Sequence, residues 1–572
     1  MRLLHLLSAV LLFPSALTSF VAAADTPESV QLDNDYDESL LLKTLPGNSV
    51  LASFRFVSNG TFNDHHHTVF PRSLAQILEH SNARELHLKF SLGRWDAEQW
   101  GAQIWDGHTG GGTGVELWAW VEADDDAAAD KRWTTLTNAL SGLFCASLNF
   151  IDSTRTIRPV LSFQPEGHHA NPDRLHLLHG GLPREPVCTE NLTPFLKLLP
   201  CKGRAGISSL LDGHRLFDAQ WQTMSIDVKP VCNSDGSQCR LQVVQTVDMV
   251  LDVERSLQRR DSPVPKPRPL DQLNCDPTRS YGSGDNCFPQ SNLADLPWSL
   301  SEIFGRPLHG SCPLGTTDVC VVAPADRQVF ASQASAEIKT GDKRCYTLPQ
   351  KSDFDLLLPR QSPPLPIEVT PPPLYASRSF TGHGQERGGV QAVIRNPSPT
   401  ETVKMIYLES LPWFMKPYLH TLKTTIPNSL VDLYYRPNLD RQRGAHLEAA
   451  LEIPPNSTLT LTYDFDKSVL RYTEYPPDAN RGFDIAPAVI TTDKGYQIRT
   501  TSLLLNLPTP DFSMPYNTII LSSTVMALAF GSVFNLLVRR LVGAEEVPLR
   551  GQKLRGLVAK IKRLGEGKRK AE

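Results

Sequence analysis

The chain has 572 residues and a formal net charge of −4, with 57 Lys and Arg against 61 Asp and Glu. That balance excludes a generally basic nucleic-acid binder, and the length is a soft prior for about three domains, or two large β-rich ones. The charge is uneven, because Arg539 to Glu572 holds eleven Lys/Arg and four Glu, so the tail carries +7 and the remainder is acidic.

Met1 to Ala24 has one early cation, Arg2, an apolar run from Leu3 to Phe20 and a small-residue stretch at Ala22-Ala23-Ala24. This is the pattern of a cleavable secretory signal, with Asp25 as the first mature residue. Pro14 and the small-residue site speak against an uncleaved anchor. All ten cysteines fall between Cys145 and Cys345, where an oxidising lumen would favour disulfides. No paired Cys-x-x-Cys spacing occurs, so no metal is expected. Asn59-Gly60-Thr61 and Asn456-Ser457-Thr458 are usable N-glycosylation sequons. Asn191-Leu192-Thr193 is followed by Pro194, which makes it a poor acceptor.

Residues 25–254 read as a lumenal β-rich domain with inserted helices. Glu85 to Leu92 alternates, with Leu86, Leu88, Phe90 and Leu92 on one face. Val115 to Val121 is a second strand, entered through the glycine loop 110–114, and further strands are expected at 221–231 and 239–253. Asp130 to Ile151 has helical spacing through Trp133, Leu136, Leu140, Leu143 and Phe144. Residues 255–295 begin with charge and four prolines, which neither a helix nor a central strand accepts, and read as a linker. From 296 to 510 a second, sandwich-like domain is expected, clearest at Ser457 to Asp466, with Pro359 to Pro373 as an edge crossing or another linker.

Tyr516 to Val538 is 23 residues without a charged side chain. A helix needs ~20 mostly apolar residues to cross a hydrocarbon layer. Arg539 and the basic tail beyond it mark the following side as cytosolic, and the tail suits lipid headgroups better than nucleic acid. The expected chain is therefore a type I membrane protein: membrane-proximal segment and span at 511–540, cytosolic tail at 541–572. The fold class expected is mainly β with inserted helices, as two β-sandwich-like lumenal domains, plus one C-terminal transmembrane helix.

Catalytic spacings are missing. There is no Gly-x-Ser-x-Gly elbow, His-Glu-x-x-His or P-loop. The glycines at 110–114 and 382–389 read as turns. His65-His66-His67 and His168-His169 read as surface loops, because adjacent residues on an extended chain point in alternate directions.

Residues 187–201, VCTENLTPFLKLLPC, resemble the signature of the PIG-T family, the type I subunit of GPI transamidase. GRWDAEQWG at 93–101, ELWAW at 116–120, RYTEYPPDANRGF at 471–483 and LNLPTPDFSMPYN at 505–517 resemble it too, in the family's order. The resemblance implies a non-catalytic subunit of the endoplasmic-reticulum complex that attaches preformed GPI anchors to protein C-termini. It implies that the nucleophilic cysteine and histidine belong to another subunit, the caspase-like PIG-K, and that no cofactor is needed. Chains of this family act as scaffold and stabiliser, contact other membrane subunits and help admit the GPI lipid.

The resemblance also places a disulfide to the catalytic subunit at Cys188. Spacing alone favours an internal Cys188–Cys201 bridge; the resemblance reverses that preference. Nine cysteines would then remain, one of them without an internal partner. Asp511, Ser513 and Asn517 lie at headgroup depth and become candidates for GPI contact. In the span, Ser522, Ser523, Thr524 and Gly531 suit close helix packing, and Asn535 suits a partner-facing position. Lys568-Arg569-Lys570-Ala571-Glu572 resembles a dilysine retrieval signal. Two other readings compete: a single-span lumenal hydrolase or transferase, and a β-sandwich cell-surface receptor.

Overall fold

Strict alternation and one tight turn start the largest sheet. β1 (Tyr36–Leu45) and β2 (Ser49–Thr61) form a hairpin, with Gly47 and Asn48 at φ 74° and 54°. Glycine and asparagine enter that region at little steric cost. Six more strands join it: β3 (Ala83–Leu92), β4 (Gly114–Glu122), β5 (Thr156–Ile157), β6 (Leu175–Leu182), β7 (Trp221–Cys232) and β8 (Cys239–Asp252). The computed structural model describes residues 35–61, 69–169, 171–232, 239–257, 273, 275, 295–332, 337–362, 366–382, 384–475, 481–508, 513–539 and 554–561. The signal segment, His65 to His67, most of 255–295, Asp511 and most of the tail lie outside them.

The sheet has eleven strands, in the order Glu337–Thr340, Lys343–Thr347, Thr316–Val322, β1, β2, β8, β7, β3, β4, β6, β5. Only the junction of β1 with Thr316–Val322 is parallel. Chain on both sides of the proline-rich stretch 255–295 therefore belongs to one sheet. Two bridges hold this return: Cys320–Cys345 joins facing strand residues, and Cys201–Cys312 spans 111 residues of sequence.

Helices cover one face: α1 (Arg72–Ser81), α3 (Asp126–Phe144) and α4 (Thr189–Leu198), while the short α2 (Ala97–Trp100) lies among the loops. Leu74, Leu78, Trp133, Leu136, Leu140, Phe144, Leu192 and Phe195 meet Leu86, Leu88, Phe90, Val243, Val247 and Met249 in one core. Each fully buried Leu or Phe contributes ~1.5–3 kcal/mol, so this face carries much of the stability. The helix expected from 130 starts earlier, where the Asp125 side chain accepts from Ala128 N–H, and stops at Phe144. Where the alternation suggested a first sandwich, one helix-covered sheet stands instead. The reason is the other parity of β3: Glu85, His87, Lys89 and Ser91 are all buried too, beneath loops and the next layer.

That layer is a β-sandwich. Strands Tyr375–Thr381, Arg387–Arg395, Thr458–Lys467 and Met415–Thr424 form one sheet; Leu430–Arg436, Ala445–Ile453, Val403–Leu411, Val489–Thr492 and Gln497–Arg499 form the other. Leu459, Leu461, Tyr463 and Phe465 face Met405, Tyr407, Leu447 and Ala449 in its core. The sandwich seats on β4 and β6 through Leu408 and Val489, packed against Trp118, Ile157, Phe163 and Leu177.

Residues 509–572 make a separate compact unit. Its helix Ser513–Val538 contains a 25-residue stretch, Met514–Val538, of mean hydropathy 1.8 with none of its window buried. Among the described residues it alone is long and apolar enough to cross a membrane. The chain is thus mainly β with inserted helices and one C-terminal apolar helix.

Candidate functional site

Cys188 stands at the N-cap of α4 with an extended backbone, φ −147°. Asn191, one turn on, holds it there. Its Oδ1 accepts from Cys188 N–H at 2.9 Å, and its Nδ2 donates to the Phe144 carbonyl at 2.9 Å. The last residue of α3 is thereby tied to the first turn of α4. A second tie runs beside it, from Ser147 N–H to Glu185 Oε1 at 2.6 Å. Cys188 is half-buried and carries a free thiol. The internal bridge that spacing favoured does not form, because Cys201 pairs with Cys312. The other free thiol among the described residues is Cys145, exposed at the C-cap of α3 with φ 52°. Sequence reasoning required one odd cysteine without naming it; only the pairing of the others isolates Cys145. Chemically, the arrangement offers accessible sulfur at two helix ends that one asparagine joins, suited to thiol–disulfide exchange.

The polar face of the sheet offers a second cluster. The His87 ring lies between Asp227 Oδ1, 2.7 Å from Nδ1, and Glu85 Oε1, 3.1 Å from Nε2. It stacks on Trp118 with ring centres 3.6 Å apart. Glu85 also meets His169 Nε2 at 2.8 Å and accepts from the N–H groups of Glu166 and Gly167. Burial opposes ionisation of Glu85, yet hydrogen bonds from His169 and His87 bring its pKa down to about 2. Burial likewise opposes protonation of His87, but Glu166, Asp227 and Glu85 hold it up at about 9. Burial pushes Lys89 down to about 8, helped by the nearby Arg499 guanidinium. His169 is thus a correction to the surface-loop expectation: its side chain is 7% exposed and hydrogen-bonded to Glu85.

These charges continue into the sandwich. Glu448 accepts three successive backbone N–H groups, from Val160, Leu161 and Ser162, at 2.6, 2.9 and 2.8 Å. Glycines let the backbones close: a Cβ on Gly107 would lie 2.0 Å from the Gln497 carbonyl, and one on Gly112 would lie 2.3 Å from Pro487. Each carboxylate named here is already paired, so the cluster locks two layers together rather than offering a free base. Among the described residues, no group of three or more His, Cys, Asp or Glu side chains is placed to hold a metal. The alternation of Glu85, His87, Lys89 and Ser91 was the sequence signal for this seam.

Of the membrane-proximal candidates, Asp511 lies outside the described residues, Ser513 begins the apolar helix, and Asn517 is exposed on its second turn. Further along, Ser522 Oγ and Thr524 Oγ1 donate back to the Thr518 and Ile520 carbonyls, and Asn535 is exposed. The sequon asparagines differ sharply. Asn456 is exposed in a turn at φ 46°, whereas Asn59 is 6% exposed within β2 and accepts from Gln242 Nε2.

The model of a family described as Gpi16 subunit, GPI transamidase component, matches residues 17–563. The chain belongs to the Gpi16 family. A Saccharomyces cerevisiae protein named GPI transamidase component GPI16 is 40% identical over 596 residues, covering 96% of this chain and 97% of its own length. A Schizosaccharomyces pombe protein, GPI transamidase component PIG-T homolog, is 35% identical over 93% of this chain and 94% of its own. The Homo sapiens GPI-anchor transamidase component PIGT is 31% identical over 88% and 90%. The Gpi16 match thus takes in the sheet, the sandwich, the Cys188 segment and the apolar helix.

Proposed function

We propose that this chain is a non-catalytic subunit of GPI transamidase, the complex that attaches preformed GPI anchors to protein C-termini in the endoplasmic reticulum. It holds the caspase-like catalytic subunit through a disulfide at Cys188. The observation that carries this reading is the free, half-buried Cys188 thiol at the start of α4, left without its nearest internal partner by the Cys201–Cys312 bridge. A covalent link makes docking independent of concentration, so a modest surface can retain a partner. The paired state of the buried carboxylates supports a scaffold rather than a second active centre.

The chain is placed as single-pass type I, with residues 25–510 lumenal and the tail of charge +7 cytosolic. Asp511, Ser513 and Asn517, at headgroup depth, help admit the GPI lipid, and the span packs against other membrane subunits. The test is non-reducing electrophoresis of the membrane complex with and without Cys188→Ser. The high-mass band with the catalytic subunit disappears in the variant; its survival would sink the assignment.

A further inference from the structure

We infer that the cleft between the β5–β6 end of the sheet and the sandwich receives an extended, acidic polypeptide segment of the subunit that Cys188 captures. This rests on the Cys188 reading above and adds where, and in what chemical form, that partner enters. The cleft has a volume of about 670 Å³. One lip is formed by Ser147, Phe150, Thr154 and Arg155 with Leu182 to Glu185, the other by Leu411 to Phe414 and Gly482 to Ala486.

Position is the first argument. Cys145 precedes Ser147 by two residues, and Cys188 follows Glu185 by three. The bond from Ser147 N–H to Glu185 Oε1 joins those two arms at 2.6 Å. Both free thiols therefore hang from the same lip of the cleft, and a chain bonded to Cys188 begins beside its mouth.

Charge is the second. The carboxylates lining the cleft are already engaged: Glu185 by Ser147 N–H, Glu474 by Arg441 and by Arg471 N–H, and Asp484 by Arg481. Arg155 and Arg184 also line it, and among the described residues neither guanidinium meets an acceptor. With Glu474 and Asp484 neutralised by arginines, Arg155 and Arg184 outnumber the one remaining carboxylate, Glu185, so the balance is positive and arginine-borne, which fits carboxylates in bidentate geometry.

Backbone is the third, and it selects a polypeptide over a phosphoglycan. Among the described residues β5, which Thr154 and Arg155 lead into, ends its sheet and pairs with β6 alone. The strand Phe483–Ile485 on the opposite lip, among the described residues, pairs with Leu503–Leu505 alone. Open strand edges present rows of N–H and C=O groups that an extended peptide satisfies by strand addition. Phe150, 61% exposed at the mouth, supplies an anchor for an apolar side chain.

The test uses the membrane complex containing this chain and its catalytic partner. Reversing both charges, Arg155→Glu with Arg184→Glu, lowers the fraction of chain in the Cys188 disulfide at least about fivefold, since like charges facing each other are strongly disfavoured. Arg155→Lys with Arg184→Lys retains most of it, and both variants keep the wild-type melting temperature because neither arginine has a partner to lose. A photoreactive phenylalanine at position 150 labels an acidic peptide of the partner, read by mass spectrometry. A wild-type disulfide fraction in the charge-reversed chain would overturn the inference, as would labelling confined to glycolipid or to this chain itself. Those outcomes leave the Cys188 reading standing, whereas persistence of the band in Cys188→Ser defeats that reading directly.

Discussion

Arg499 reaches from the last strand of the sandwich to Glu116 in the middle of β4. Its Nε lies 2.7 Å from Oε2 and its Nη2 3.2 Å from Oε1. Both side chains are almost fully buried, at 4% and 10% exposure, and His179 donates to the same carboxylate. Deleting one partner of a buried pair leaves the other charged in a dry site, which costs about 3–5 kcal/mol. Arg499→Ala is expected to lower the melting temperature and expose the loops between the layers to protease. An unchanged proteolysis pattern would show that the pair is not what joins sheet to sandwich.

The same seam predicts a pH dependence. His87 has its pKa raised to about 9, so its stabilising effect is complete below its ordinary value near 6.5 and lost as pH rises through 9. Glu85, held near 2, acts the other way: its contribution is present above the ordinary carboxylate range and lost only in strong acid. Lys89, lowered to about 8, regains stability for the fold only above that pH, and so opposes His87 late in the window. Asp248, raised to about 6 by burial, carries its full penalty above that pH and is relieved of it only in more acid solution, so it adds no slope within the window. Melting temperature should therefore fall between pH 6.5 and 8, and His87→Gln should flatten that slope by removing up to ~3 kcal/mol of linked stability. A slope identical in the variant would contradict the assignment.

Asn191 bridges α3 and α4 as well as capping α4, so its loss acts on docking without touching sulfur. Asn191→Ala should cost about 1–2 kcal/mol and lower the yield of the Cys188 disulfide while leaving the thiol in place. The measurements are thermal melting and non-reducing electrophoresis of the complex; wild-type disulfide yield would show that the helix junction does not position Cys188.

Burial separates the sequons. Asn456→Gln should remove one glycan, seen as a mobility shift, whereas Asn59→Gln should leave mobility unchanged because Asn59 is enclosed in β2 against Gln242. Asn191, 1% exposed with both side-chain atoms bonded, should also be bare. A shift in the Asn59 variant would mean that the asparagine is modified before β2 pairs with β8.

For the membrane-proximal segment, Asp511→Ala with Asn517→Ala should lower surface display of GPI-anchored proteins while the complex still assembles. Flow cytometry and co-purification check the two halves of that statement. Normal display would remove these residues from substrate contact.

Much of this architecture was legible in the chain because it is periodic. Alternation placed β3, β4, β7, β8 and Thr458–Lys467, and helical spacing placed α3. The charge-free run placed the apolar helix, and the quoted motifs placed the family. What the sequence could not supply was the partner of each element. Cys188 and Cys201 are neighbours in a short motif, yet Cys201 bonds to Cys312, because strand Thr316–Val322 returns to lie parallel to β1. Period reports which face a residue occupies, not what covers that face. Glu85, His87 and Lys89 were visible as a polar parity, but only the folded chain brings Asp227, His169 and Arg499 against them from 140, 84 and about 400 residues away. Local composition determined the elements, while residue spacing alone pointed Cys188 to the wrong partner; long-range pairing of Cys201 with Cys312 decided that the Cys188 thiol is left available beside an open cleft.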